Sequence, residues 1–299
     1  MKDMFKGVGI LEFQARFPDD NACKDYLQSI KWPDNYSCNK CGHKKYCGTN
    51  KYGERRCTKC RRVESATANT LFHKVKFPLL KAFYIVFFVS TNPKGMSSYE
   101  LARKLNMHQP VVWRFKRKMT LAMKSSGNHP ISGEVHVDET FIGGKTPKKK
   151  GRSQSSKKQA VIAIQKHPKG GISRAYAQVI PNAGYKSLKP FIEKHISIQA
   201  NLKTDKWRGY RPLTKNTDYK LTQINSKQGE NFPELHRFIM MLKGWLRGIH
   251  HSVKHLQAYL DEYTYRFNRH KWKDSIFHNL MKRMVAHQPV KFSEFEIAT

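Results

Sequence analysis

Cys38-x-x-Cys41 and Cys57-x-x-Cys60 put two pairs of thiols on two tight turns, with Cys57 sixteen positions after Cys41 and Gly42 just past the first turn. This is the spacing of a four-cysteine zinc ribbon, in which four thiolates close a tetrahedral structural site with no open coordination position. Asn39, Lys40, Thr58, Lys59, Arg61 and Arg62 surround the four, a setting at odds with ordinary buried cysteines. Cys23 and Cys47 fit neither turn and are expected to be non-ligands, Cys47 being the nearer substitute. Arg55, Arg56, Lys59, Arg61 and Arg62 near the second turn suit either a DNA or protein contact or a solvated face.

Charge narrows the partner. The 299 residues hold 56 Lys and Arg against 22 acids, a formal net charge of +34. Solubility needs far less, so a polyanion is the expected partner. The longest apolar run, Ala82 to Val89, is well short of the ~20 residues of a membrane helix. No secretory signal is visible in Met1-Lys-Asp-Met-Phe-Lys, and the chain reads as intracellular, where cysteines serve as ligands or free thiols.

Composition divides the chain into three expected domains. Residues 1–76 hold a short helical piece and the ribbon, 77–130 a helical segment, and 131–299 strands followed by helices. In the middle part, Ser97 or Ser98 caps a short helix with Leu101, Ala102 and Leu105 inward, and Asn106-Met-His makes a turn. Pro110 then opens a second helix bearing Val112, Phe115 and Met119. This is a helix-turn-helix outline, with Arg114, Lys116, Arg117 and Lys118 expected outward, toward phosphates and groove edges. A basic loop from Lys145 to Lys158, carrying Lys148, Lys149, Lys150 and Arg152, interrupts the third domain between strands.

Within that domain, Val135-His-Val-Asp138-Glu-Thr alternates as a strand, with His136, Asp138 and Thr140 on one face and Val135 and Val137 on the other. A second strand, Leu202 to Thr204, ends on Asp205. Two aspartates on neighbouring strands are costly to bring together unless a divalent cation neutralises them. Further on, Phe232, Leu235, Ile239, Leu242 and Leu246 form the buried stripe of a helix. Asn231 and Glu234 match a capping box, which gives Glu234 a structural role. His236 and Lys243 lie two turns apart and share one face, whereas Glu234 points elsewhere.

Several blocks in this order resemble the insertion-sequence DDE transposases: the four cysteines, His136-Val-Asp138-Glu-Thr-Phe-Ile-Gly-Gly-Lys145, Thr204-Asp205-Lys-Trp-Arg-Gly-Tyr, Lys243-Gly-Trp-Leu-Arg-Gly-Ile-His-His, and Leu260-Asp-Glu-Tyr-Thr-Tyr-Arg-Phe-Asn. In that family a zinc ribbon and helix-turn-helix precede an α/β catalytic domain of RNase H-like type, a mixed sheet flanked by helices. The family places its third acid seven residues before a lysine. Here that position is His236, as in branches that use His, and imidazole suits magnesium less well than carboxylate does.

The resemblance implies an enzyme that binds the terminal inverted repeats of an insertion sequence and performs metal-dependent DNA cleavage and strand transfer. Asp138, Asp205 and His236 would hold Mg2+ or Mn2+, Lys243 would contact a phosphate, and Zn2+ would fill the ribbon. Double-stranded DNA, as terminal repeats and target, a second copy of the chain in a synaptic complex, and a nucleoid-associated place in a bacterial cytoplasm complete the expectation, with no membrane involved. The alternative is a domesticated zinc-ribbon and helix-turn-helix regulator whose RNase H-like domain is inactive. His236 in place of an acid favours it, and the intact Asp138 and Asp205 oppose it. A host nuclease of the same fold explains the acids but not the two N-terminal modules.

Overall fold

The computed structural model describes residues 5–7, 9–144, 157–216, 218–227, 230–250 and 253–291. They form two compact units, one of residues 124–268 and one built from both flanking stretches.

The flanking unit begins with α1 (Ile10–Arg16) and α2 (Asp20–Lys31), then β1 (Tyr46–Gly48), β2 (Glu54–Cys57) and β3 (Val63–Ser65), which pair antiparallel in chain order. Three helices follow, α3 (Leu79–Thr91), α4 (Ser98–Leu105) and α5 (Gln109–Met123). Ser97 caps α4 by accepting the Glu100 N–H at 3.1 Å, and Asn106 ends it in the left-handed region at φ 46°, which a short polar side chain tolerates. The core is aromatic: Phe5, Phe13, Phe17, Tyr26, Phe83 and Phe87 pack around Phe277. Phe277 lies on the last helix of the chain, Ile276–Ala286, which contacts α2, α3 and α5. From sequence, everything after 131 had been expected in one domain. The apolar stripe of this last helix instead closes the flanking unit, because Phe277, Leu280, Met281 and Met284 find their buried surface there.

The 124–268 unit holds β4 (Glu134–Gly143), β5 (Lys157–Lys166), β6 (Ile172–Ile180), α6 (Tyr185–His195), β7 (Asn201–Thr204), α7 (Arg211–Asn216), β8 (Lys220–Gln223), α8 (Pro233–Ile249) and α9 (Leu256–Phe267); the last helix of the chain is therefore α10. Its sheet runs β6-β5-β4-β7-β8, antiparallel on the β6 side and parallel from β4 through β8. Both faces are covered. Val135, Val137 and Val161 pack with Leu188, Phe191 and Ile192 of α6, while Ile162 and Ile164 pack with Leu235, Phe238 and Leu242 of α8 and Leu260 of α9. This mixed sheet between helix layers is the RNase H-like arrangement that the residue blocks implied.

β6 is a sheet edge, and two amides of the 124–268 unit cover it. Asn268 pairs with both the N–H and the C=O of Ala175 at 2.8 Å, and Gln257 accepts the Val179 N–H at 2.8 Å. Such groups blunt an edge that would otherwise template strand addition. Buried Glu262 faces Arg266 at 3.9 Å one turn along α9. The Leu260-to-Asn268 block is therefore structural.

Candidate active site and zinc centre

In the ribbon, the four sulfurs of Cys38, Cys41, Cys57 and Cys60 lie within 4.8 Å of one another, with Cys38–Cys60 at 3.5 Å and Cys41–Cys57 at 3.7 Å. Tetrahedral zinc with bonds of ~2.3 Å sets its sulfurs ~3.8 Å apart, so the site fits that ion. Backbone N–H groups of Lys40 and Cys41 outweigh burial and lower the Cys38 thiol to about 6, and those of Cys60 and Lys59 likewise lower Cys57. The His43 N–H acts in the same sense on Cys41, but burial and the neighbouring sulfurs push that thiol to about 11. A cation is what allows all four to stay ionised together. Cys23, fully buried in α2, and Cys47, exposed on β1, stand outside the cluster.

The basic helix differs from expectation. Arg114 is exposed and Lys118 half-buried, but Lys116 and Arg117 are buried, and Lys116 donates to the Met96 carbonyl at 2.7 Å. Lys116 lies one turn after Val112 and one before Thr120, inside the stripe that α5 turns toward α3 and α4. Lys148, Lys149, Lys150 and Arg152 lie outside the described residues.

The two aspartates meet as follows. Val137 of β4 is paired with Thr204 of β7 in a parallel register, so Asp138, in the middle of β4, and Asp205, just past the carboxyl end of β7, come next side by side where the parallel ladder ends, about one strand spacing (~4.8 Å) apart in backbone. In open α/β sheets this is where ligands bind. Asp138 lies opposite Ile162 on the α8 side of the sheet, and His236 Nε2 of α8 is 3.8 Å from Asp138 Oδ2. That is too long for a hydrogen bond, yet short enough for both atoms to reach one cation at ~2.1 Å each. The Lys243 ammonium belongs to the same neighbourhood: burial lowers its pKa, the charge of Asp138 opposes that, and Lys157 and Arg247 add to it. The acids and imidazole are not gathered as tightly as the cysteines, which are the one such group within 4.8 Å among the described residues.

Glu234 is held elsewhere. Its Oε1 lies 3.7 Å from Lys166 Nζ, beside Glu134, which takes His136 Nε2 at 2.8 Å and the ammonium groups of Lys203 and Lys166 at 3.2 and 3.3 Å. Burial works against the Glu134 carboxylate, but these partners hold it at about 2. The expected capping box is absent: Phe232 is the cap of α8, without a side-chain bond, and Asn231 donates to the Asn225 carbonyl instead. His136 is buried edge-on against Phe232.

Sequence reasoning missed Glu139. It points to the opposite face from Asp138 and accepts a short hydrogen bond from fully buried Tyr210. Tyr210 ends the Thr204-to-Tyr210 block, whose other members set Asp205 in place. Asp205 accepts the Trp207 N–H at 3.0 Å, and Trp207 Nε1 donates to the Ala183 carbonyl at 2.8 Å. A Cβ on Gly209 would run into that carbonyl and come within 2.7 Å of Trp207 Nε1. Gly209→Ala is accordingly expected to destabilise by about 1–3 kcal/mol, a fall in thermal midpoint of several degrees. A midpoint equal to wild type would show the turn to be looser than described.

Burial pushes the Glu139 carboxyl up to about 8 despite the Tyr210 bond, with Asp138 and Asp205 adding to the rise. Burial also raises Asp138 to about 6, the Glu139 N–H and Lys243 opposing and Asp205 adding. Both carboxyls hold protons more tightly folded than unfolded, so the stability they contribute is full below about pH 4 and is lost as pH climbs through about 6 and then about 8. In chelated protein the thermal midpoint should fall across that window, and Glu139→Gln should flatten its upper half. A midpoint that climbs with pH would contradict this.

A mixed sheet with two aspartates side by side on adjacent strands, in one chain with a four-cysteine ribbon, is the architecture that the residue blocks implied. The ISXO2-like transposase domain matches residues 130–268, and the transposase zinc-ribbon domain matches residues 18–63. Both matched segments are thus similar to transposase domains, in the order in which the residue blocks resemble the insertion-sequence DDE transposases. Among solved structures it is similar to the crystal structure of the Mos1 strand transfer complex, at 12% identity and TM-score 0.30, over 72% of this chain and 77% of that one. No curated protein matches it. No helix among the described residues is long and apolar enough to cross a membrane.

Proposed function

We propose that the protein binds the terminal inverted repeats of its element and catalyses divalent-metal-dependent DNA cleavage and strand transfer. The observation that carries this reading is the juxtaposition of Asp138 and Asp205 on adjacent strands, just past the last parallel pair Val137↔Thr204, with His236 3.8 Å from Asp138. These three side chains would hold Mg2+ or Mn2+, which supplies charge neutralisation at the phosphate and acidifies a bound water or hydroxyl. Lys243 offers its ammonium to a non-bridging phosphate oxygen, where negative charge grows in the transition state. Water attacks the phosphodiester at the element end and the 3′-oxygen leaves. The freed 3′-hydroxyl then attacks a phosphodiester of target DNA in the same manner. Tyr210 and Trp207 fix the neighbouring backbone and carboxyls rather than react.

The ribbon, Arg114 and Lys118 serve repeat binding, and the Lys148, Lys149, Lys150 and Arg152 loop serves as an electrostatic clamp. Two copies synapse the ends, in the nucleoid of a bacterial cytoplasm. The test is cleavage of DNA carrying the element's own ends, with either metal. Nicks leaving 3′-hydroxyls at the ends are expected. Binding without any cleavage would favour the inactive regulator, the reading that His236 supports. His236→Ala should cost about 10²-fold in rate and Glu234→Ala little. Loss at Glu234 alone would overturn the placement of His236.

A further inference from the structure

The solvent face of α8 carries features that the fold itself does not use. At about 100° per residue, Arg247, Met240, Gly244, Arg237 and Gly248 follow one another around the helix, starting beside His236 and Lys243. Met240 is 62% exposed. Glycine inside a helix costs about 1 kcal/mol relative to alanine, yet a Cβ on Gly244 or Gly248 would meet nothing within 4 Å. No contact among the described residues calls for glycine at either position.

The charges beside them point to what does. Lys157 of β5 and Arg247 press their like charges on Lys243, with Asp138 the acid that opposes them. Arg237, Lys243 and Arg247 have no hydrogen bond or ion pair among the described residues. Asp138 offsets only part of this positive charge, and the excess on one face attracts a polyanion. A second copy pressed against the same face would set arginine against arginine in an isologous contact.

We infer that this face seats one DNA strand. Phosphates lie against Lys243 and Arg247, the sugar-phosphate backbone passes over Gly244 and Gly248 at a distance that a methyl group would deny, and Met240 touches the sugar or base edge. The inference rests on the transposase reading and adds to it a pair of positioning residues defined by the absence of a side chain.

Gly244→Ala and Gly248→Ala, singly and together, separate this from a role in folding. The thermal midpoint should hold or rise, because alanine favours the helix and has room. Binding of element ends by the N-terminal modules should be unchanged, while end cleavage by the double variant should fall about 10²-fold. Full cleavage by the double variant would overturn the inference, and so would lost cleavage accompanied by a lowered midpoint. A second readout needs no catalysis. Met240→Cys, in protein otherwise intact, should exchange with duplex DNA bearing an activated mixed disulfide tethered to a phosphate within three nucleotides of the element end, forming the protein–DNA disulfide and releasing the small leaving thiol. If wild-type protein does not cleave but the cross-link forms, the chemistry has failed and the seat stands. If wild type cleaves and no cross-link forms, or if sedimentation shows the glycine variants to lose a dimer instead of DNA, the seat is wrong.

Discussion

Asp138→Asn or Asp205→Asn is expected to lower end cleavage and strand transfer by about 10³-fold or more while leaving the affinity for element ends within a few-fold of wild type. A ligand lost from a catalytic ion removes several kcal/mol of transition-state stabilisation, and each 1.36 kcal/mol is about tenfold in rate. The amide keeps the shape of the side chain, so the strand register from Val135↔Leu202 to Val137↔Thr204 has no reason to change. Asp205→Asn can even keep the hydrogen bond from the Trp207 N–H, through its amide oxygen. The measurement is single-turnover cleavage beside a binding titration on the same DNA. Wild-type rates in either variant would remove the paired aspartates from the chemistry, and a parallel collapse of binding would mean that the substitution damages more than the site.

The second large effect concerns the ribbon. Cys57→Ser is expected to lower bound zinc by one ion per chain and to unfold the stretch around β1 to β3, with the loss of its share of DNA affinity. Cys57 is fully buried, and its N–H bonds to the Arg62 carbonyl, so the knuckle is both ligand and turn. Structural zinc in comparable small modules is worth about 10–16 kcal/mol of folding free energy, against which three strands of three or four residues offer little. Proton competition gives a second check. Zinc is held by thiolates and not by thiols, so it should be released progressively as pH is lowered. Unchanged zinc content in Cys57→Ser would transfer the ligand role to Cys47, whose exposed thiol sits on the neighbouring strand.

Much of this was legible because local signals and tertiary demands agreed. The cysteine spacing, the alternation of Val135 and Val137 with His136 and Asp138, and the two-turn interval between His236 and Lys243 depend on strand and helix periods alone. Elsewhere the answer lay in partners distant in sequence. Glu139 follows Val135 and Val137 on the apolar face, and no local signal shows its partner until Tyr210, 71 positions later, is seen to reach it. Lys116 reads as outward because lysine usually is, yet its stem fills the stripe of α5 and its ammonium finds the Met96 carbonyl. β5 starts at Lys157, inside what reads as a basic loop, since pairing with Gly143 extends the ladder beyond the apolar core. The capping box at Asn231 failed for the same reason: Lys166, across the sheet, claims Glu234.

Because α10 completes the unit that also holds the ribbon and helix-turn-helix, the chain's last third is not all of one kind. A frameshift after codon 268 would spare every strand of the 124–268 unit and strip Phe277 from among the phenylalanines of the opposite end of the gene. Such a truncated copy would keep the mixed sheet whole while the aromatic cluster of the flanking unit came apart.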